Sequence, residues 1–415
     1  MKPQAEFSVS DDQIGSAPSN EPAQGAKQSD REVLISGCGI GGLAAALSIA
    51  ATGAKVRVFE KREDPSEEGA GIQIGPNGTR ILQELGLADA LRDHIAVPES
   101  LRVFEGHSGS KLKALPLGPW LAERHDAPYW VLHRVDLHKA LREKAEKHPS
   151  ISLQLGVEIT DARTTANGVE IFSGSELAGT GDLLVAADGL RSKLRATLFD
   201  TGELRYTGKS AARTVIARGD APDGIPKDDV GIWLAPEGHV VHYPVRQGRE
   251  LAIIVIRNSA SPDQGWATKI EPEWVLNAVA GFASPVRKLV SASTDWRKWA
   301  LFGTPAFRTW KSGRVVLLGD AAHPILPFFA QGAVLALEDA HVLAKELANH
   351  SNIETALEAY SRARLPRATA VQEASKRNGE IYHLSAPMSL ARNMTLRLAP
   401  PKQLMARYDW LYGWR

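Results

Sequence analysis

The sequence predicts an α/β fold: a parallel sheet with helices, split by an inserted, mainly antiparallel sheet and followed by C-terminal helices. Three observations carry this. A strand–helix–strand rhythm around a glycine turn opens the ordered chain at residues 33–59. Between about Tyr206 and Ile256 that rhythm gives way to short β-branched runs divided by turn residues. An apolar strand pattern then returns at Arg314–Leu318, followed by a long helical pattern over Gln331–Leu347.

Each element follows from local pattern. Val33-Leu34-Ile35 is a short apolar run bounded by glycine, as in a buried strand. Leu43–Ala51 is rich in Ala and Leu and stops at Gly53, as a helix does. Lys55–Phe59 is the next strand, and a helix between two strands implies a parallel pair. Gly69–Gly78 is dense in glycine and is expected to be a loop with special backbone angles. Thr79–Leu91 reads as an amphipathic helix and Leu101–Leu117 as strand with turns. Arg134–Lys147 reads as helix, and Ser152–Val157 and Asp182–Ala187 as strands. Thr214–Ala217, Val230–Leu234, Val240–Val245 and Leu251–Ile256 form the antiparallel set. Turn clusters at Asp220–Gly224, Pro236–Gly238 and Gln247–Gly248 separate them.

Composition narrows the function. Lys plus Arg number 49 against 48 Asp plus Glu in 415 residues, a net charge of +1. That balance excludes the basic field of a nucleic-acid binder and a polybasic membrane anchor. The single cysteine, Cys38, excludes an intramolecular disulfide and a cysteine-based metal cluster, so no metal is expected and a cytoplasmic location fits. No run of about 18 apolar residues occurs, so no membrane span is expected. Met1–Asp30 is polar and Pro-containing with almost no large apolar residues. It is expected to be a disordered tail rather than a signal peptide.

Gly37-Cys38-Gly39-Ile40-Gly41-Gly42 places glycines at 37, 39 and 42 in the pattern G-x-G-x-x-G, between a strand and a helix. The first permits the turn, the second lets backbone approach a pyrophosphate, and the third lets helix pack on strand. The helix N-terminus then offers N–H groups to phosphate. Glu60 ends the second strand, where an acid accepts from a ribose hydroxyl. This pattern does not separate FAD from NAD.

Further segments resemble those of the single-component (group A) FAD-dependent aromatic monooxygenases, the salicylate and hydroxybenzoate hydroxylase family. Asp182–Gly189 with Arg191, Ser192 and Arg195 resembles the second nucleotide motif of that family. Gly313–Pro324, continued by Gln331-Gly332 and Glu338-Asp339-Ala340, resembles its ribityl-binding motif. Leu132–His138 resembles the segment whose arginine, here Arg134, reaches the FAD phosphate, and Gly69–Asn77 resembles the flavin-side loop. The segments run in family order over about residues 31–345. The resemblance implies FAD held by Gly37, Gly39, Gly41, Gly42, Glu60, Lys61, Gln73, Arg134, Ile159, Asp188, Asp320, Gly332 and Ala333. It implies NADH or NADPH as co-substrate, docking transiently because only one dinucleotide fingerprint is present. Asp320 would accept from ribityl hydroxyls, or cap a helix; N–H groups near Gly332 and Ala333 would face the negative charge of reduced flavin. Arg134 as a surface arginine and Asp188 as a strand end remain open.

In His239-Val240-Val241-His242-Tyr243-Pro244, alternation puts His239, Val241 and Tyr243 on one face. Relatives acting on hydroxybenzoates and hydroxypyridine carboxylates resemble this chain at His239 and Tyr243. The catalytic base is therefore expected to be His239, directly or through Tyr243, titrating near an ordinary histidine pKa of about 6.5. A half-buried polar pair facing solvent is the alternative. Arg213 is the candidate cation for a substrate carboxylate or the flavin side, and Pro327 a further substrate contact. His323 reads as a packed structural histidine more than as a base, and Trp296, Trp299 and Trp310 as core. Gln73 stands where some relatives carry a histidine.

The domain boundaries expected are a tail at 1–30, an FAD-binding domain from 31–100, 130–200 and 305–380, a substrate-binding sheet domain from 101–129 and 201–304, and a helical segment at 381–415. The implied activity is hydroxylation of a phenolic aromatic acid, of hydroxybenzoate, salicylate or hydroxypyridine carboxylate type, by O2 through a flavin C4a-hydroperoxide. Three alternatives stay open: an FAD epoxidase or hydroxylase of a larger hydrophobic natural product, a non-catalytic flavin-holding sensor, and a flavin-free NAD-dependent dehydrogenase. A homodimer is also open.

Overall fold

The computed structural model describes residues 31–65, 71–200, 203–260, 267–304, 307 and 309–415. The tail expected at 1–30 lies outside them, as do Gly69 and Ala70. The chain opens with β1 (Glu32–Ser36), α1 (Ile40–Ala50), β2 (Lys55–Glu60), β3 (Gly71–Ile74), α2 (Pro76–Glu84), α3 (Ala88–Leu91), β4 (Ser100–Glu105), β5 (Lys111–Pro116) and α4 (Gly118–His125). β6 (Trp130–His133) and α5 (Arg134–Glu146) lead to β7 (Ile151–Leu155), β8 (Asp161–Thr164), β9 (Val169–Ser173), β10 (Glu176–Gly181), β11 (Leu183–Ala186) and α6 (Lys193–Leu198). Next come β12 (Arg205–Ala217), β13 (Val230–Ala235), β14 (Gly238–Val245), β15 (Glu250–Asn258), β16 (Thr268–Ile270), α7 (Glu273–Ala278), α8 (Ser284–Ser291) and β17 (Trp296–Gly303). β18 (Lys311–Ser312) and β19 (Val315–Leu317) precede α9 (Gly332–Asn349), α10 (Ile353–Tyr382), α11 (Met388–Leu398), α12 (Pro401–Ala406) and α13 (Asp409–Tyr412).

The first sheet has the order β18-β19-β11-β1-β2-β7, parallel throughout except the β18–β19 hairpin. Strand order reverses at β1: the chain steps to β2 on one side and returns to β11 on the other. A crevice opens at such a switch point, outside the carboxyl ends of the strands. The glycine turn after β1 and the turn after β11 both face it. Helix α1 packs against α5 and α9. Its sequence is apolar nearly all round, so it is buried nearly all round.

The second large sheet has the order β16-β17-β12-β15-β14-β13-β4-β5. Its two faces differ. On the far face Phe104, Trp233, Val240, Leu251, Ile253 and Trp296 pack under α7 and α8. The stacked Phe104–Trp233 pair, centroids 4.0 Å apart, adds about 0.5–1.5 kcal/mol beyond its buried area. On the near face Ile232, Leu234, Tyr243, Ala252, Ile254 and Ile256 merge with the core of the first sheet. Burial on both faces explains why Leu251–Ile256 is apolar without alternation.

Several sequence expectations change. Gly71–Ile74 is not a loop but a strand, paired antiparallel with β6. Gly71, Gly75 and Gly78 have no left-handed backbone; they are needed for close approach. A Cβ at Gly71 would lie 2.3 Å from the Tyr243 ring, and one at Gly75 2.6 Å from Tyr412. The helix expected over Thr79–Leu91 breaks at Gly86, where φ is +64°, leaving α2 and α3. The β8–β10 meander, β17 and the first half of β12 go beyond the expected strands.

Candidate active site

The glycine turn is clamped from three sides. Gly37 adopts φ +105° and lies so close to the turn after β11 that a Cβ would sit 2.4 Å from the Ala187 carbonyl oxygen. A Cβ at Gly42 would sit 1.9 Å from the Gly37 oxygen, so only glycine lets α1 start there. From β2, Glu60 Oε2 accepts from the Cys38 N–H at 2.9 Å, while Oε1 accepts from Arg62 N and Nε at 3.1 and 3.0 Å. From α5, His138 Nε2 meets the Cys38 oxygen at 2.7 Å. Burial and the Glu60 charge push the Cys38 thiol up to about 12, so it is inert. Gly39 and Gly41 line the cleft. Lys61 points outward beside Glu158. Ile159 is buried in the core two residues beyond Val157, whose N–H donates to the Glu60 oxygen, and it does not line the cleft.

The opposite side of the crevice carries Asp320 and the start of α9, with Asp188 set behind Ala187 and Gly189, which line the cleft while it does not. Asp188 Oδ2 accepts from the Leu194 N–H at 3.3 Å, whereas Oδ1 is buried with no partner among the described residues. Burial raises the Asp188 carboxyl. Asp320 stands exposed just after β19, and a Cβ at Gly332 would come within 4.0 Å of its Oδ1. Gly332 and Ala333 line the cleft at the first turn of α9, which has no side-chain cap.

A buried ionic network holds this geometry. Asp339 Oδ2 accepts from Gly319 N–H at 3.0 Å and meets His323 Nε2 at 2.5 Å, while Oδ1 accepts from Arg364 Nε at 2.7 Å. Burial alone would raise the Asp339 carboxyl; His323 and Arg364 outweigh it and hold it down at about 2. Glu338 pairs with Arg364 at 2.8 Å and with Arg367 at 2.9 Å, and accepts from Asn77 Nδ2 at 2.7 Å. Asn77 also donates to Gln331 Oε1 at 3.1 Å. The Gly319 turn, β3–α2 and the start of α9 are thus tied together. His323 Nε2 is committed to Asp339 and the residue, 1% exposed, does not line the cleft, which supports its structural reading.

Between these groups and the near face of the second sheet lies a cleft of about 340 Å³, open to solvent. Arg213, Val241, Tyr243, Ile254 and Trp299 line its sheet side; Gln73, Arg134 and Pro327 line its rim. Tyr129 donates to Gln73 Oε1 at 2.7 Å, and Gln73 hydrogen-bonds Tyr243 in turn. Burial raises the Tyr243 hydroxyl, with Arg213 opposing, so it stays protonated and able to donate. The Arg213 guanidinium lies over Trp299 at 5.1 Å, and its Nε is buried with no hydrogen-bond partner among the described residues. Trp299 is buried, as expected, and also lines the cleft beneath Arg213. Trp296 and Trp310 are core.

His239 shares the face of Val241 and Tyr243, as alternation requires, but does not line the cleft. It is 1% exposed behind Phe328 and Tyr382, with Nδ1 2.8 Å from His383 Nε2. Burial, then His383 and Lys209, lower it well below an ordinary histidine. The expectation that His239 titrates near neutrality is corrected: it is a neutral imidazole throughout the physiological range. His242, on the far face, is buried with both ring nitrogens unpartnered among the described residues, and burial drags it to about 3.

These features fit FAD. The glycine cradle is shaped for backbone contact with a pyrophosphate, the buried Asp188 Oδ1 is an acceptor lacking a donor, and the uncapped α9 terminus offers donors beside Asp320. Sequence reasoning missed Tyr129, Asn77 and His383. Asn77 and Tyr129 lie beside motif segments; His383 follows the end of α10 with no local signal.

Comparison with known proteins agrees. The FAD binding domain family matches residues 30–375. The 3-hydroxybenzoate 6-hydroxylase of Klebsiella oxytoca is 32% identical over 383 residues, 92% of this chain and 96% of that protein. The 3-amino-4-hydroxybenzoate 2-monooxygenase of Streptomyces cremeus is 31% identical over 388 residues, again 92% of this chain and 96% of its own. Salicylate hydroxylase in its substrate complex has a TM-score of 0.79 at 27% identity, over 94% of this chain and 96% of the other. Klebsiella pneumoniae HpxO, complexed with FAD and uric acid, has a TM-score of 0.78 at 25% identity, over 91% and 95%. No helix among the described residues is long and apolar enough to cross a membrane. The flavin-free dehydrogenase and the non-catalytic sensor are thereby set aside, and the chain belongs to the single-component FAD-dependent aromatic monooxygenases, oxidoreductases that use O2 and NAD(P)H.

Proposed function

We propose that this enzyme hydroxylates a phenolic aromatic acid, of the hydroxybenzoate type, held against the near face of the second sheet. The observation that carries this is the pairing of one under-bonded cation with one neutral hydroxyl: Arg213 over Trp299, beside Tyr243. Arg213 Nε suits a carboxylate, Tyr243 suits the phenolic oxygen, and Val241 and Ile254 supply an apolar wall for the ring. When bound, FAD supplies reduction by NAD(P)H and activation of O2. The residues do the rest. Glu60, Asp188 and Asp320 hold the cofactor; the Gly332–Ala333 terminus favours negative charge near it; the apolar walls exclude water. His239, behind the wall and neutral, takes the phenolic proton, with Tyr243 as the group that meets the substrate. The same reading places the enzyme in the cytoplasm. The exposed apolar row Leu390, Met394 and Leu398 on α11 supports a homodimer, to be checked by light scattering.

The test is a panel of hydroxybenzoates and hydroxynicotinates, scored for stimulated NAD(P)H oxidation and for hydroxylated product. At least one phenolic acid should stimulate both. His239→Ala and Tyr243→Phe should still oxidise NAD(P)H with substrate present, but give less product and more H2O2, with oxygen transfer slowed about 10²- to 10⁴-fold. Full coupling at unchanged rates in both variants would show that the pair is structural.

A further inference from the structure

We propose that Tyr412 on α13 is a positioning residue for the cofactor: its ring, seated on Gly75, fixes where β3 stands as the flavin-side wall of the cleft. β3 supplies Gly71, Ile72 and Gln73 to the lining that also includes Gly39 and Gly41 of the glycine turn. It has only four residues and, among the described residues, one strand neighbour, β6. A two-stranded ribbon of that length does not hold its own place, so the side chains packed on it must.

Glycines bracket β3, Gly71 at its start and Gly75 just after Ile74, and each packs against a tyrosine ring. A Cβ at Gly71 would lie 2.3 Å from the Tyr243 ring. A Cβ at Gly75 would lie 2.6 and 2.8 Å from Cε1 and Cδ1 of Tyr412. Gly75 adopts φ −73°, ordinary for any residue, so the ring and not the backbone demands glycine there. The strand is thus gripped between rings from two distant parts of the chain.

Tyr412 reaches the same wall by two further routes. Its ring stands edge-on to Tyr129 at 6.3 Å, and Tyr129 donates to Gln73 Oε1 at 2.7 Å. The backbone that carries it is anchored beside Asn77. Arg367 donates to the carbonyls of Trp410 and Leu411 at 2.8 and 2.9 Å and pairs with Glu338, which accepts from Asn77 Nδ2. Arg80 of α2 donates to the Trp414 oxygen, and Arg124 of α4 pairs with Asp409. Residues 409–414 therefore take their place from α2, α4 and α10, and Tyr412 is the side chain by which they press on Gly75. A ring that merely filled the core could give way to an apolar group with little effect beyond stability. A ring that sets the height of β3 cannot, because glycine has no side chain to take up the slack. A shift of β3 moves Gly71–Gln73 relative to Gly39 and Gly41, and with it the width of the cleft that takes FAD.

The experiment uses the full chain, stripped of flavin and titrated with FAD. The visible spectrum of the bound flavin and the thermal unfolding of the apoprotein are read alongside. Tyr412→Phe keeps the ring and should match wild type in all three. Tyr412→Leu should weaken FAD about tenfold and shift the flavin absorption bands. Gly75→Ala, which drives a methyl group into the ring from the other side, should do the same. In the double variant Gly75→Ala/Tyr412→Leu the methyl group meets space, so FAD should bind more tightly than the product of the two single losses allows. Wild-type affinity and an unchanged spectrum in Tyr412→Leu and Gly75→Ala, with only the apoprotein less stable, would reduce Tyr412 to core packing and overturn the proposal. Strictly multiplicative losses in the double variant would also overturn it, since the two residues would then act separately. A loss in Tyr412→Phe as large as in Tyr412→Leu would assign the effect to the hydroxyl and overturn the ring as the positioning element. If Tyr412→Leu does not fold, Gly75→Ala decides: wild-type affinity and spectrum there overturn the proposal, and a tenfold loss with shifted bands upholds it.

Discussion

The two walls of the cleft treat buried charge in opposite ways. On the α9 wall every carboxylate oxygen of Glu338 and Asp339 faces a donor from Asn77, His323, Gly319, Arg364 or Arg367. On the sheet wall Arg213 keeps a buried Nε with no hydrogen-bond partner among the described residues. A group that serves the fold must be satisfied by the fold. A group that serves a ligand is left short until the ligand comes. Beside this cavity an under-paired cation marks binding and carboxylates with every oxygen paired mark support, although Asn77 Oδ1 and His323 Nδ1 of the supporting network also have no partner among the described residues.

The largest expected effect breaks the supporting wall. Arg364→Met leaves Asp339 and Glu338 buried without a main partner and should cost about 3–5 kcal/mol of stability. Arg213→Met on the other wall removes a cation that is under-paired already, and should cost no stability while abolishing tight substrate binding. Chemical denaturation of the FAD-loaded proteins and a substrate titration read both. Equal destabilisation of the two variants would erase the distinction between the walls.

A middle-sized effect concerns the cofactor. Glu60→Ala and Asp320→Ala should each weaken FAD by about 1.5–3 kcal/mol through loss of charge-assisted hydrogen bonds. Titration of the apoproteins with FAD, followed by flavin fluorescence, gives the affinity. Retention as tight as wild type in both variants would mean that neither carboxylate holds the cofactor.

The contrast also explains what the sequence discloses. The cofactor wall is written in short runs, such as Gly37–Gly42 and Gly319–His323, because a turn between strand and helix is a local event with local glycine demands. Its support is partly legible too, since Glu338 and Asp339 sit in a motif, but their partner Arg364 comes from α10, a 30-residue helix that runs through Pro366. The sheet wall is mostly not local. His239 meets its partner 144 residues later, and no periodicity joins them. Gly71 looked like a loop glycine, yet its reason is the Tyr243 ring, a contact between two sheets. The β8–β10 meander was missed because β8 and β10 are short and largely exposed and lack an apolar alternation, and because the buried alternation of β9, Val169 and Ile171, is only two residues long.

The smallest expected effect separates the two faces of the second sheet, each of which buries a histidine. His239 on the near face has a partner; His242 on the far face has none among the described residues, and a Cβ on Gly231 across from it would lie 2.0 Å from its Nε2. His242 is therefore held neutral by burial alone, at about 3. In the unfolded chain it titrates near about 6.5. Below that value the unfolded state binds a proton that the folded state refuses, so stability contributed by the neutral form is full above pH 6.5 and is lost as pH falls towards 3. At pH 5.5 the loss is about 1.4 kcal/mol. His239 and His383 act in the same direction, so wild-type acid lability is a sum. His242→Leu removes one share of it: the variant should lose about 1.4 kcal/mol less than wild type between pH 7.5 and 5.5. Denaturation at the two pH values measures the difference. An identical pH dependence in variant and wild type would mean that the far-face histidine takes up a proton in the folded state after all.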